Sequence, residues 1–366
     1  MKQVGPACLA IIAIALVFGS VSIAGAQPPI RIGASLSQTG AYAVAGQNQL
    51  RGYQLCVKHT NDKGGLLGRR LELVVEDDRS EPATAVRIYE KLITQDKVNA
   101  VLSPYTSPII DAVAEVSEKH RMPLVAFGAA ASAVFKKGRK FLFMVQSPAE
   151  VWLEGYTGAY PTGNTEFAAI LTRARSAIPD AFGAATRGLD AEAVTRQIKA
   201  LDMNPKMYAV TIGGALPRFY ETLGRNAEFV YVPSEWEPEL VTLRAGGLIP
   251  IARQYPGARE LVEAHPREYP GVDLSCHTAG GYGGCQVLAE AVKRSGSLDG
   301  GKIRDAILKL DFNTVFGAFR VDPDGLQIAH KLVLFQWQDG KKVIVWPEEL
   351  APGRPRFPTP PWSQRQ

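Results

Sequence analysis

Ala100–Ser132, AVLSPYTSPIIDAVAEVSEKHRMPLVAFGAAAS, decides the fold class of this chain. A short apolar run, Ala100–Leu102, meets the loop Ser103–Ser107, and Pro108–His120 then carries apolar residues at helical spacing. A second apolar run, Pro123–Phe127, ends in the small-residue loop Gly128–Ser132. Strands that are apolar on both faces and joined through a helix predict a parallel sheet covered on both sides.

The same rhythm extends outward. Upstream, Ile30–Ser35 reads as a strand ending in Leu36–Gly40, and Gln47–Lys63 as a helix stopping at Gly64-Gly65. Leu71–Glu76 reads as a strand, and Ala83–Thr94 as a helix opened by Ser80-Glu81-Pro82. Phe141–Val145 is a fifth strand. Downstream, Ala181–Ala185, Lys206–Thr211 and Phe229–Val232 read as strands. The helices predicted there are Thr165–Ala177, Glu192–Leu201, Ala258–Glu268, Thr278–Arg294 and Lys302–Leu310. Val333–Trp337 and Val343–Trp346 flank Asp339-Gly340, the pattern of a tight β-hairpin. Pro347–Gln366 is proline-rich and is expected to be an extended, weakly ordered tail. One stretch breaks the pattern: in Val151–Phe167, VWLEGYTGAYPTGNTEF, an amphipathic start runs into a Pro/Gly/Asn turn with no strand before the next helix.

The N-terminus has Lys2, the apolar run Ala7–Gly19 and Ala24-Gly25-Ala26, the layout of a secretory signal peptide cleaved after Ala26. The apolar run is short for a membrane span. Cleavage would leave 340 of the 366 residues, about two domains by length. The formal charge of +5 falls to +4 with Lys2 gone, and it is scattered rather than clustered, which argues against nucleic acid as a partner. Cys56, Cys276 and Cys285 remain, and an odd number leaves at least one thiol unpaired. Cys276 and Cys285 lie nine residues apart on one helix, too far for a bond with each other, and all three read as small buried hydrophobes.

Candidate chemistry concentrates where strands of an α/β sheet end. Ser35–Tyr42 (SLSQTGAY), Ser103–Ser107 and Gly128–Ser132 all take that position and are rich in Ser, Thr, Ala and Gly. One such loop would be an ordinary helix cap; three at one sheet edge point to a ligand site whose hydroxyls and backbone N–H groups suit an anionic group. Catalytic patterns are weak. Gly296–Lys302 (GSLDGGK) has P-loop spacing, but Ile303 replaces the magnesium-binding hydroxyl and a helix precedes it, so it reads as a helix–helix turn. Gly280–Gly284 (GGYGG) reads as a close helix-packing surface. His59, His120, His265, His277 and His330 are scattered without metal-ligand spacing. Cys276 and His277 are neighbours on a helix, about 100° apart in direction, an awkward geometry for a shared hydrogen bond. No metal or other cofactor is expected, and no nucleophile elbow is present.

The segments IRIGASLSQTGAYAVAGQNQLRGYQL, NDKGGLLGRRLELVVEDDRSEPATAV, AVLSPYTSPIIDAVAEVSEKHRMPLVAFGAAAS, GNTEFAAILTRARSAIPD and FGAFRVDPDGLQIAHKLVLFQWQDGKK together resemble one family. It is the leucine/isoleucine/valine-type solute-binding proteins of bacterial ABC transporters, which share the type I periplasmic binding fold. The resemblance implies two Rossmann-like α/β lobes with parallel sheets, joined by a hinge of three crossings and closing on a small ligand. By that likeness residues 27–147 and 275–328 form the first lobe, and 148–274 with 329–349 the second. It implies a periplasmic binding protein, not an enzyme, delivering a branched-chain or other apolar amino acid, or a related apolar or aromatic carboxylate, to an ABC permease. Contacts from hydroxyls and backbone would come from Ser37, Thr106, Ala129 and Ser132, and apolar walls from Tyr42, Tyr105 and Trp236.

Two departures stand out. Ala131 takes the place of a threonine hydroxyl, and the position of an acid that pairs with the ligand ammonium falls near Gly213–Leu216 (GGAL), where Ala215 carries no charge. Both weaken the match to an α-amino acid. Between Glu154 and Ala159, roughly 45 residues, enough for strand, helix and strand, are absent relative to the family pattern. Alternatives are a sensing or regulatory protein of the same fold, a degenerate member that binds weakly, and an exported hydrolase, which lacks a nucleophile arrangement.

Overall fold

The computed structural model describes residues 27–149, 166–177, 179–242 and 255–365. The expected signal peptide, residues 1–26, and most of Val151–Phe167 lie outside the described residues. The first sheet holds β1 (Ile30–Leu36), β2 (Leu71–Asp77), β3 (Ala100–Leu102), β4 (Leu124–Ala126) and β5 (Leu142–Met144), in the order β2-β1-β3-β4-β5. Every pairing in it is parallel. β3, β4 and β5 are buried along their whole length, which is why they read as continuous apolar runs rather than alternation.

The helices alternate with these strands: α1 (Ala43–Asp62), α2 (Pro82–Thr94), α3 (Ser107–His120) and the short α4 (Ser132–Phe135). α1 begins one turn before the expected Gln47. Its first turn carries Val44, which is 67% exposed, so no apolar periodicity marks it. α4 is a single turn, too short to show a period at all.

The second sheet has β6 (Ala181–Ala184), β7 (Met207–Val210), β8 (Tyr231–Ser234), β11 (Val333–Gln338) and β12 (Lys341–Trp346), in the order β12-β11-β8-β7-β6. β6, β7 and β8 run parallel, and the β11–β12 hairpin closes the far edge antiparallel. Asp339 and Gly340 both take positive φ, as the tight turn requires. Helices α5 (Ala168–Ser176), α6 (Leu189–Ala200), α7 (Pro217–Leu223) and α8 (Glu239–Thr242) accompany this sheet. α9 (Ala258–Glu268), α10 (Cys276–Ser295) and α11 (Gly300–Ile307) follow, with a two-stranded ribbon of β9 (Phe312–Thr314) and β10 (Gly317–Phe319). The expected helix–helix turn at Gly296–Lys302 is present: Gly296 takes the left-handed conformation, and Asp299 caps α11 by accepting from the Lys302 N–H at 2.9 Å.

Two expectations are corrected. Cys56 and Cys285 are not independent hydrophobes but form a disulfide, leaving Cys276 as the free thiol among the described residues. The bond spans 229 positions, beyond the reach of local spacing arguments. It exists because α1 and α10 press together glycine to backbone. A Cβ on Gly52 would stand 2.1 Å from the Thr278 carbonyl oxygen, and one on Gly281 would stand 2.5 Å from that of Gln49. The GGYGG stretch is therefore the close packing surface the sequence suggested. The proline-rich tail is extended but docked. The Trp362 indole is buried and donates to the Met203 carbonyl at 2.8 Å, the Thr359 N–H donates to Lys206, and the Arg365 guanidinium lies 3.6 Å above the Trp362 ring.

Candidate functional site

Each sheet presents a carboxyl edge, and the loops there meet. The first loop, after β1, is held by two consecutive carboxylates at the end of β2. Asp78 accepts from Ser35 Oγ at 3.0 Å and Ser37 Oγ at 2.6 Å. Asp77 accepts from Thr39 Oγ1 at 2.7 Å and the Gln38 N–H at 2.9 Å. Ser37 is fully buried with its one donor given to Asp78, so it serves as a loop anchor.

The loop between β3 and α3 carries Tyr105 and Thr106. Tyr105 sits in a chain of aromatic contacts: its ring is 6.0 Å from Tyr42 and 5.4 Å from His277, both edge-on. The hydroxyl lies 3.3 Å from His277 Nε2. Burial pushes that hydroxyl up to about 12, partly countered by the positive charge of Arg187. Gly128 makes room for this ring. Its φ is +102°, and a Cβ there would lie 2.8 Å from Tyr105 Cδ2. The Gly128 N–H is held by Gln146 Oε1, and the Ala131 N–H by Ser107 Oγ.

Thr106 has φ 82° and ψ 149°, a region that only glycine visits easily. A β-branched residue held there costs about 1–3 kcal/mol and marks a loop shaped for something other than stability. Ala129 is fully buried and Ser132 opens α4, beside Ala131. Trp236 is also fully buried, in the large core, with no hydrogen-bond partner for its indole N–H among the described residues. The structure thus brings Tyr42, Tyr105 and Thr106 together and sets the Gly128–Ser132 loop beside them.

The sequence reading missed Arg187. It follows β6, and its Nη1 lies 3.4 Å from Thr106 Oγ1, so a residue of the second sheet's edge touches the loop of the first. The rule that pointed to the first-sheet loops applies equally to Thr186-Arg187-Gly188 and would have found it. Adjacent helical positions make a Cys276–His277 hydrogen bond awkward, yet the start of α10 places Cys276 Sγ 3.6 Å from His277 Nδ1. The pair is no activated nucleophile. Burial pushes the Cys276 thiol up to about 12 and His277 down to about 4, so both are neutral near pH 7, opposite to a thiolate–imidazolium couple.

Behind these loops the crossings between the sheets are tied together. Ser147 Oγ lies 2.9 Å from His330 Nδ1, and Glu235 Oε2 accepts from the Ser147 N–H at 3.2 Å and stands 3.1 Å from His330 Nδ1. A groove of about 610 Å³ lined by Ser147, His330, Lys331, Trp346 and Glu349 runs past this point. It shares no residue with the loops above. Among the described residues no cluster of side chains suits a metal ion, and no helix is long and apolar enough to cross a membrane.

Two Rossmann-like halves whose loop edges touch form the type I periplasmic binding fold. The chain belongs to the periplasmic binding protein family, whose model matches residues 29–154 and 153–342. It is 21% identical to the Leu/Ile/Val-binding protein homolog 7 of Brucella melitensis biotype 1, over 92% of this chain and 96% of that one. With homolog 8 of Brucella suis biovar 1 it shares 23% identity, over 92% and 95%. Among solved structures it resembles the leucine-binding protein LivK of Thermotoga maritima, with TM-score 0.72 and 23% identity over 86% of this chain and 97% of that one. LivJ of Streptococcus pneumoniae, solved with isoleucine, gives 0.71 and 23% over the same shares.

Proposed function

We propose that this chain is the periplasmic solute-binding component of an ABC transporter, capturing a branched-chain or other apolar amino acid or a related small carboxylate and presenting it to permease subunits. The observation that carries this reading is the meeting of Thr106 and Arg187, which puts the loop edges of the two sheets on opposite sides of one site. Tyr42 and Tyr105 supply apolar walls, and Thr106, Ala129 and Ser132 supply hydroxyl or backbone contacts. The lobes are residues 27–147 with 275–328, and 148–274 with 329–349. The N-terminal segment directs export to the periplasm.

The second lobe is shortened by one strand–helix–strand unit at the junction near Glu154–Ala159. Support comes from strand order. In the first sheet two strands, β1 and β2, lie beyond β3, whereas among the described residues β6 stands at the edge of the second sheet with Ala181 and Gly183 exposed. The family model also matches in two pieces that meet at residues 153–154. A thermal-shift screen of the chain from Gln27 onward against apolar amino acids and apolar or aromatic acids tests the function. A rise in melting temperature with a subset of these ligands is expected; no rise with any of them would count against it.

A further inference from the structure

We propose that Arg187 and Thr106 clamp a carboxylate between the lobes, and that the preferred ligands are apolar or aromatic acids without an α-ammonium group, such as 2-oxo acids. This deepens the solute-binding reading above and rests on it.

The argument is one of charge. Arg187 makes no ion pair with a described carboxylate, and its one side-chain contact is the Thr106 hydroxyl at 3.4 Å. The acids near it in the chain are already used. Asp190 accepts from the backbone N–H groups of Arg187, Gly188 and Ala191 at 2.9, 2.7 and 3.1 Å, and Glu192 pairs with Arg218 at 2.7 Å. The next loop of the same sheet edge, Ile212–Leu216, contains no acid, and its Gly213 and Gly214 are buried against Ala191, Gly188 and Val210. A ligand ammonium brought between Thr106 and Arg187 would meet the guanidinium first, because the Asp190 carboxylate is turned to the backbone N–H groups of its own loop. A carboxylate there accepts from the Thr106 hydroxyl and from the planar guanidinium fork at once, the geometry for which arginine is suited. Tyr42 and Tyr105, edge to face beside Thr106, leave an aromatic surface for the rest of the ligand. The Thr106 hydroxyl faces the second sheet's edge through its contact with Arg187. A like charge beside the Arg187 guanidinium is repelled, so an α-ammonium is expected to cost about tenfold in affinity.

Calorimetric titration of the wild-type chain, Arg187→Lys and Arg187→Met tests this, using leucine with 4-methyl-2-oxopentanoate and phenylalanine with phenylpyruvate as matched pairs. Unchanged melting temperatures verify that the variants fold. The expected result is at least tenfold tighter binding of an oxo acid than of its amino acid. Arg187→Met should lose about 30-fold or more for the oxo acid, and Arg187→Lys should lose less. Amino acids binding as tightly as the oxo acids, or Arg187→Met leaving oxo-acid affinity unchanged, would overturn the clamp while leaving the solute-binding reading in place. No binding of any of the four by the wild-type chain would also overturn the clamp, with the wider thermal-shift screen deciding the solute-binding reading.

Discussion

Removing the Cys56–Cys285 bond is the most quantitative test of how the first half of the molecule is held. The bond ties α1 to α10 across 229 positions of sequence. The chain-entropy relation for a loop of that length gives a stabilisation of about 5 kcal/mol, with residual structure in the unfolded chain acting to reduce it. A domain of 150–250 residues shifts by about 2–4 °C for each kcal/mol, so the loss corresponds to about 10–20 °C in melting temperature. Both sulfurs belong to buried residues, 2% and 1% exposed, so a Cys56→Ala/Cys285→Ala variant is a cleaner perturbation than a reducing agent. The glycine contacts between α1 and α10 remain in that variant, so the fold should persist below its lower melting point. Scanning calorimetry of the wild type, the double variant and Cys276→Ala as control reads the difference. Thiol counting on the unfolded, unreduced chain from Gln27 onward should find one reactive thiol. Three thiols, or a double variant melting within about 2 °C of wild type, would refute the reasoning.

Other outcomes follow from single residues. His277 is held neutral by burial, with its pKa lowered from 6.5 to about 4, so its contribution is full above pH 6.5 and is lost as pH falls towards 4. Urea denaturation at pH 7 and pH 4.5 should show a loss of up to about 3 kcal/mol at the lower pH from this group, reduced in His277→Gln; equal acid sensitivity in the two proteins would contradict it. Trp362→Ala removes a buried indole and its bond to Met203, and should cost about 3 kcal/mol by denaturant titration, whereas a loose tail would cost nothing. Thr106→Gly should relieve backbone strain, raising stability by about 1 kcal/mol while weakening ligand binding, so a variant both less stable and equally tight would be inconsistent with a strained ligand loop. Gly128→Val, forced into positive φ against the Tyr105 ring, should lower both melting temperature and affinity.

Much of the scaffold was legible because β3, β4 and β5 are uniformly buried and their connecting helices are amphipathic; burial on both faces leaves a plain signature in sequence. The first turn of α1 and the single-turn helices α4 and α8 were not, since exposed or very short segments carry no period. The disulfide was invisible for a different reason: its partners meet through the packing of two distant helices, which no local spacing encodes. At the site, Tyr105 and Thr106 could be named from their position after a strand, but the charge facing them comes from Arg187, a contact 81 residues away in sequence. Ser37 shows the converse limit. Its residue type and position suit a ligand contact, and only the placement of Asp78 shows where its proton goes.

The capture of one small ligand between the two loop edges is tested most directly by calorimetric titration of the chain from Gln27 onward, repeated with Arg187→Met/Thr106→Ala. A single saturable site for an apolar or aromatic acid or amino acid is expected, with one ligand per chain and a large loss of affinity in the folded double variant. Tight one-to-one binding that survives intact in the double variant would place the ligand elsewhere and contradict the site described here.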